Sequence, residues 1–586
     1  MNYNLNKFAG QEQKISNYAA FRNLLQLISH EKKHLMLALS AILINSGLSL
    51  LAPFLVGYTI DTYVVQKQYH GVLVFSGILL VMYLVALGTS YLQTKLMGSV
   101  GQRTLFTLRN AVFNKIQQLP VAFFNQNKAG DLISRVNNDT DKLNQFFSQS
   151  LMQFAGSIIT MIGAGIFLLV INFKLGVATL LPALSILVFT RILSPWIKRK
   201  NAVSLKAFGG MSAEIQESLG NFKVIVAFNR RDYFRTRFNT ANEHNYATAI
   251  WAGLANNVFL PFYGLCAGLA QLMVLAYGIY LIAEGQFSIG LLVSYLSYAT
   301  FFYNPLRQLA TLWTNFQVAM AGWDRITEIL SLESNLPTIA SKDVIQDAAL
   351  LTFKNVHFAY PEGREILHNI NFSLEQGKTY ALVGPTGGGK TTTASLIARL
   401  YDPSKGIVLL NGKDIRSYDD AERTRRIGFI LQEPFLFTGT VKENILYGNA
   451  LYQHNSNEQL EQVIKEANLE KLLAIFDNGL DTKVLSGGDG VSLGQKQLIA
   501  FMRAVLRKPD LLILDEATAN IDTVTEQLLS EILEKLPPTT TRVIIAHRLN
   551  TIENADEIFF VSAGEVTRAG SFRNAVDKLL SGESKS

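Results

Sequence analysis

The residues Gly384-Pro-Thr-Gly-Gly-Gly-Lys-Thr391 fit the spacing G-x-x-x-x-G-K-[ST], which suits holding a chain of phosphates. Gly384, Pro385, Thr386, Gly387, Gly388 and Gly389 let the backbone approach closely. Successive N–H groups can then point at phosphate oxygens beside a positive helix end. Lys390 can reach the β- and γ-phosphates, and the Thr391 hydroxyl can bind Mg²⁺. A second chemical signal is Leu511-Leu-Ile-Leu-Asp-Glu516, an apolar run that delivers two carboxylates. Asp515 can hold Mg²⁺ directly or through water, and Glu516 can polarise an attacking water, the general-base role in phosphoryl transfer. Leu485-Ser-Gly-Gly-Asp-Gly-Val-Ser-Leu-Gly-Gln495 reads as a serine–glycine turn entering a helix, which is a second anion site. His547 ends a further apolar run, Arg542–His547, where it can read a γ-phosphate. Each has a plain alternative: a chance glycine turn, a strand ending in solvated acids, a histidine at a strand end.

These side chains need particular elements to position them. Thr379–Val383 reads as a short buried strand just before the glycine loop, and Thr392–Leu400 has helical spacing just after it. That strand–loop–helix context is what the motif requires. Leu511–Leu514 reads as a strand carrying its acids at the carboxyl end, where ligands of parallel α/β sheets gather. Phe353–Tyr360 alternates and stops at Pro361-Glu-Gly363, as a strand and turn do. Tyr360 stands about two dozen residues before the loop, within reach of an adenine ring.

The chain has 586 residues, too many for one core, and a mean hydropathy of +0.19 with only 17% charged residues. The apolar excess is confined to the region before about residue 320. A net charge of +7 could suit a nucleic acid. The basic residues cluster beside apolar runs instead, which suits the cytoplasmic face of a membrane, and no nucleic-acid partner is expected. The single cysteine, Cys266, excludes an intramolecular disulfide. Residues 1–16 are polar and no cleavable leader is expected. Ser16–Ser29 reads as an amphipathic helix on the membrane surface, with a soluble capping helix as the alternative.

Six apolar runs approach the ~20 residues a bilayer core demands: Leu35–Tyr58, Val72–Leu92, Leu151–Ile171, Leu175–Leu193, Ala252–Ala283 and Ile289–Leu309. Links after runs one, three and five are short, while those after two and four are long and basic. Both long links and both termini are therefore expected on the cytoplasmic side. The long links keep helical spacing and have two candidate turns, Asn125–Asp131 running into Leu132–Arg135 and Glu217–Asn221 running into Phe222–Ile225. Polar residues within spans mark possible ligand contacts, here Asn45, Asn256, Asn257 and Gln271. The stripe Tyr295, Tyr298, Phe301, Phe302 reads first as helix packing and second as a binding wall.

Taken together, the chain resembles a half-transporter of the ATP-binding cassette superfamily, of the exporter type. The resemblance implies an α-helical six-span type-1 exporter transmembrane domain fused to an α/β P-loop NTPase nucleotide-binding domain. Residues 1–33 would form a cytoplasmic N-terminus with an elbow helix, 34–325 the transmembrane domain, 326–349 a linker and 350–586 the nucleotide-binding domain. Tyr360 matches the family's adenine-stacking aromatic, and Gly384–Thr391, with Thr392 following, its Walker A. Gln432, in Ile430-Leu-Gln-Glu-Pro434, matches the Q-loop glutamine that touches Mg²⁺. Leu511–Asp515 matches Walker B with Glu516 as catalytic base, Asp522 the D-loop aspartate, and His547 the switch histidine. Leu485-Ser-Gly-Gly488 looks like the family signature, but Asp489 follows it and it stands too far before Walker B. The signature is assigned instead to Val491–Gln495, which keeps Ser492, Gly494 and Gln495 but has Val491 and Leu493 where the pattern differs. The D-loop departs too, with Ala519-Asn-Ile521 in place of Ser-Ala-Leu.

The resemblance implies ATP and Mg²⁺ as ligands, membrane lipid as surroundings and a second half-transporter as partner, with a heterodimer favoured over a homodimer. Each ATP would lie between one chain's Walker A and the other's signature. The implied activity is ATP hydrolysis coupled to export of hydrophobic or amphipathic drugs or lipids across the plasma membrane by alternating access. The alternatives are an ATP-gated channel or regulatory subunit on the same fold, or an importer of siderophore-like ligands.

Overall fold

The computed structural model describes residues 3–5, 31–334, 336–340, 349–361, 363–515, 523–545, 554–570 and 573–574. The chain divides into two compact units, one of residues 12–116 and 130–331, the other of 1–11, 117–129 and 332–586. The surface helix expected over Ser16–Ser29 lies outside the described residues.

The first unit is helical and contains six long stretches. They are α1 (Lys32–Thr59, continued by a π-turn over Ile60–Val64), α2 (Tyr69–Gln117), α3 (Leu151–Ile171), α4 (Phe173–Gly220), α5 (Phe259–Ala283, led by Arg231–Asn257) and α6 (Ile289–Ser331). Each contains one of the six expected apolar runs. The stretches holding α1 to α5 are long and apolar enough to cross a membrane. The 49 residues of α2 extend about 74 Å at 1.5 Å per residue, far beyond a ~30 Å hydrocarbon layer. Its apolar window has none of its residues buried within the unit, as lipid-facing side chains would be.

Small residues and tyrosine hydroxyls hold these helices together. A Cβ on Gly290 would stand 2.0 Å from the Gly57 carbonyl oxygen, so α1 and α6 touch backbone to backbone. Asp61 accepts hydrogen bonds from the Ser288 hydroxyl and from the Gly290 N–H at 2.7 Å, satisfying donors at the start of α6. Tyr295 donates to Leu168 O at 2.8 Å, Tyr298 to Leu50 O at 2.7 Å and Tyr303 to Thr179 O at 2.7 Å. All three rings are buried. The aromatic stripe is therefore packing, with Phe301 and Phe302 set partly buried against the same cluster. The in-span amides also turn to protein partners. Asn256 and Asn201 exchange hydrogen bonds at 2.9 and 3.0 Å, Asn257 donates to Gly253 O, and Gln271 donates to Thr300. Asn45 is half-buried in α1.

The expected turns both appear, with one shift. The second becomes a short helix over Phe222–Ala227 directly after Asn221. The first begins earlier than the sequence suggests: Pro120 starts a helix over Val121–Gln126, and the chain resumes helix at Ala129–Ser134. Pro120, with its ring-fixed φ, suits the residue ahead of a helix start, a signal that the turn reading passed over. Buried Arg135 then donates to Asp131, Glu328 and the Arg325 carbonyl, tying this return to the end of α6.

The second unit is built on a six-stranded sheet of β1 (Thr379–Val383), β2 (Ile427–Ile430), β3 (Leu511–Asp515), β4 (Thr541–Ile545), β5 (Glu557–Ser562) and β6 (Glu565–Arg568). The spatial order is β6-β5-β1-β4-β3-β2, and every pairing is parallel except β5 with β6. Strands β1 and β3 are buried along their whole length, which is why both read as unbroken apolar runs rather than alternating ones. A separate antiparallel sheet orders Glu365–Leu374, Leu351–Ala359, Lys405–Leu410 and Lys413–Asp414.

Candidate functional site

Three loops leave the carboxyl ends of the parallel strands, and they carry the residues singled out by type and spacing. The glycine loop follows β1, Gln432 follows β2, and Asp515 closes β3. Ile545 at the end of β4 is level with Asp515 and Leu382, so His547 comes two residues beyond that edge. His547, Glu516 and Asp522 lie outside the described residues.

The glycine loop is shaped for an anion. Gly384 has φ +147°, and a Cβ there would meet Val561 O at 2.0 Å, so the backbone is pressed against β5. Gly387 has φ +82° and nothing within 4 Å of a Cβ position, leaving the face of the loop open. Gly389, also left-handed, precedes a helix over Lys390–Ile397. That helix begins two residues earlier than the spacing suggested and ends three earlier. Lys390 is buried to 5% exposure, and its Nζ donates to Gly384 O at 2.8 Å and Pro385 O at 3.0 Å. The ammonium thus lies across the loop's own mouth, where a phosphate could exchange for the two carbonyls.

The metal question can be tested on the donors present. Thr391 Oγ1 donates to Asp515 Oδ1 at 3.4 Å, and Asp515 is 3% exposed. A hydroxyl and a buried carboxylate facing each other are hard oxygen ligands of the kind Mg²⁺ takes. Among the described residues no three His, Cys, Asp or Glu side chains gather as a metal cage. That fits an ion held by one or two protein oxygens together with substrate phosphates.

Tyr360 sits where its strand was expected to leave it, just past Leu351–Ala359. Its hydroxyl pairs with Thr392 Oγ1 at 3.3 Å. The ring packs edge-on against Phe358 at 4.9 Å and Tyr401 at 5.2 Å. A cavity of about 320 Å³ opens beside it, lined by Tyr360, Pro361, Gly363 and Tyr401 and by Ala122, Asn125 and Gln126 of the short helix Val121–Gln126. Asn125 Nδ2 donates to the Tyr401 hydroxyl at 2.8 Å. Burial pushes the Tyr401 phenol above its ordinary value, while the bond from Asn125 pulls the other way. Tyr401 was not singled out by type or spacing, and Asn125 was named only as the start of a candidate turn. The only trace is the run Arg399-Leu-Tyr-Asp402, in which Arg399, at positive φ, binds Asp402 and the Pro337 carbonyl.

The two serine–glycine stretches differ in local structure. Ser486–Gly488 is only a 3₁₀ turn, held by Lys496 Nζ on Gly487 O at 2.9 Å. Ser492 caps a helix over Leu493–Val505 with a full capping box: its Oγ accepts from Gln495 N at 3.1 Å, and Gln495 Oε1 accepts from Ser492 N at 2.8 Å. Ser492, Gly494 and Gln495 thus sit at a helix N-terminus, and the side chains of Ser492 and Gln495 each accept from the other's backbone N–H. The helix starts three residues before the expected Lys496. At its far end Arg503 donates to Phe435 O at 3.1 Å and Asn444 O at 2.8 Å. It thereby fastens the segment after Gln432 to the Ser492 helix. Gln432 itself is exposed.

Comparison with known proteins agrees with this geometry. The family model described as the ABC transporter transmembrane region matches residues 35–306, and the one described as ABC transporter matches residues 367–519. An uncharacterised ABC transporter ATP-binding protein of Bacillus subtilis, YfiC, is 34% identical over 94% of this chain and 91% of its own. A fatty acid ABC transporter ATP-binding/permease protein of Mycobacterium tuberculosis is 32% identical over 84% of this chain and 77% of its own. The structure of a bacterial Atm1-family ABC exporter with ATP bound superposes with a TM-score of 0.78 at 24% identity, covering 95% of this chain and 99% of that one.

Proposed function

Since this chain belongs to the ABC transporters, as a multi-pass half-transporter of the exporter kind that hydrolyses ATP, we propose that it is one subunit of a dimeric pump for lipid-like or drug-like amphiphiles. Residues 34–325 would form its transmembrane domain, 326–349 the linker and 350–586 the nucleotide-binding domain, with both termini on the cytoplasmic side of a plasma membrane.

The observation that carries the reading is the convergence at the strand ends: Lys390 across the glycine loop, with Thr391 facing buried Asp515. Tyr360 would stack on the adenine, and the glycine loop with Thr392 would surround the phosphates. Thr391, Asp515 and Gln432 would hold Mg²⁺, which when bound neutralises charge developing on the phosphates. Glu516 would orient and deprotonate the attacking water, and His547 would contact the γ-phosphate. Asp522 would act at the junction with the partner.

Ser492, Gly494 and Gln495 present a capped helix start whose own bonds leave its outer face free for an anion. In the proposed dimer that face completes the partner's ATP site, and the partner's signature completes this one. The tip of the second cytoplasmic turn supports the same need. Phe222, Val224 and Phe228 are exposed there, an apolar cluster suited to a protein partner. Leu493 stands where the family pattern carries a small residue, which favours pairing with a different half-transporter.

ATP binding would favour the closed dimer and so shift the membrane helices from inward- to outward-open, and hydrolysis would reset them. The test is accumulation of a fluorescent fatty-acid analogue in inside-out proteoliposomes, with the candidate partner chain present and absent. Uptake that requires ATP and disappears with Lys390→Ala supports the pump. Uptake indifferent to both would refute it.

A further inference from the structure

Where α4 and the helix Arg231–Asn257 leave the apolar region, the structure contains a second cavity, of about 360 Å³. Its lining is Trp196, Arg199, Lys200, Val203, Thr248 and Trp251. Nothing in the proposed ATP cycle uses it. Trp196 stands three residues after the apolar run of α4, and Trp251 directly precedes the apolar run leading into α5. Tryptophans so placed mark the level where hydrocarbon gives way to headgroups. The two helices are registered at this depth by the reciprocal Asn201–Asn256 amide pair, at 2.9 and 3.0 Å. The cavity is therefore a feature of two fixed helices rather than of a loop.

Its chemistry is one-sided. Lys200 Nζ sits 5.3 Å from the centre of the Trp251 ring, held by a cation–π contact. Arg199 offers a guanidinium fork, which matches phosphate or carboxylate oxygens. No carboxylate lines the cavity. The nearest acids on α4, Glu214 and Glu217, are paired with Arg237, and the nearest on the other helix, Glu243, stands five residues before Thr248 and does not line the cavity. The indoles are 40% and 56% exposed, so apolar walls and cations open on the same space. Its volume falls within the range of small-ligand sites.

We propose that this cavity binds the anionic headgroup of a membrane amphiphile from the cytoplasmic leaflet. The phosphate would sit between Arg199 and Lys200, and the chains would run along the apolar surface beside Trp196. The occupant is a lipid of the bilayer rather than free phosphate, because the walls that flank the cations are apolar and stand at the headgroup level.

The test uses the full chain with Trp313→Phe and Trp323→Phe, which leaves Trp196 and Trp251 as the only tryptophans. It is placed in phosphatidylcholine nanodiscs that carry brominated phosphatidylglycerol or brominated phosphatidylcholine at equal fraction. Brominated phosphatidylglycerol should quench more strongly, and Arg199→Gln with Lys200→Gln should erase the difference, at about fivefold in lipid preference per cation removed. The pair Arg199→Lys and Lys200→Arg should retain it, which separates loss of charge from loss of fold. Equal quenching by the two lipids, or a preference that survives the glutamine variant, would overturn the proposal. Displacement of the brominated lipid by inorganic phosphate alone would overturn it in favour of a free-anion site. The measurement needs no nucleotide, so its failure is distinguishable from failure of the proposed ATP cycle.

Discussion

Replacing Tyr401 by Phe removes one oxygen and leaves the ring. The ring's edge-on contact with Tyr360 at 5.2 Å survives, so the wall beside the proposed adenine position is unchanged. What is lost is the acceptor for Asn125 Nδ2, now at 2.8 Å. Tyr401 is only 9% exposed, so water replaces that acceptor poorly. A net hydrogen bond is worth about 1 kcal/mol, or roughly fivefold in an equilibrium constant. Asn125 lies on the short helix that follows directly from α2, between the second and third spans. The bond therefore ties the short helix Val121–Gln126 to the aromatic pair Tyr401–Tyr360. Tyr401→Phe should leave ATP affinity within about twofold and lower cargo-stimulated ATP hydrolysis by about fivefold. Asn125→Ala should match it, and the double variant should be no worse than either single, giving a coupling energy of about 1 kcal/mol in a double-mutant cycle. Additive effects of the two changes would refute the linkage, as would an equal loss of ATP affinity.

Further outcomes follow from the geometry. Gly384→Ala must displace the loop from Val561 O, now 2.0 Å from the added Cβ, and should abolish nucleotide binding. Gly387→Ala meets no atom and should cost only the ~1–2 kcal/mol of a left-handed alanine, read by isothermal titration with ATP. Ser492→Ala removes the helix cap and should lower unfolding stability by about 1 kcal/mol. Its larger effect should be on hydrolysis at the partner's site, measured in a dimer where only one chain carries the change. Tyr295→Phe loses the bond to Leu168 O and should lower the thermal midpoint by an amount corresponding to about 1 kcal/mol, with ATP affinity unaltered.

The chemistry-bearing residues were legible because phosphate binding demands rare combinations: a glycine loop, a lysine and a hydroxyl at fixed spacing between a buried strand and a helix. The strands β1 and β3 were legible for a different reason, since burial on both faces leaves unbroken apolar runs. Membrane spans announce themselves by length: five of the six runs fall inside single long helices, and the fifth in chain order, Ala252–Ala283, crosses a break at Val258. What escaped was set by tertiary packing. Nothing local marks Tyr401 as Asn125's partner, because 276 residues separate them. Arg503 reads as an ordinary basic residue near a helix end, although it fastens the segment after Gln432 through two carbonyls. The first turn begins at Pro120 rather than at the polar, glycine-bearing stretch Asn125–Asp131, because the ring-fixed φ of proline sets the helix start. Leu485–Gly488 and Val491–Gln495 were told apart in the sequence by Asp489 and by distance from Leu511–Asp515; that Ser492 and Gln495 form a capping box emerges from the fold.

The most direct measurement is steady-state ATP hydrolysis and ATP binding by the purified dimer with Glu516→Gln in this chain. If Glu516 supplies the base beside the Thr391–Asp515 pair, ATP should bind with unchanged affinity while turnover at this site stops. Hydrolysis continuing there at the unsubstituted rate would contradict the assignment of Glu516, and with it the proposed ATP-driven cycle as built from these residues.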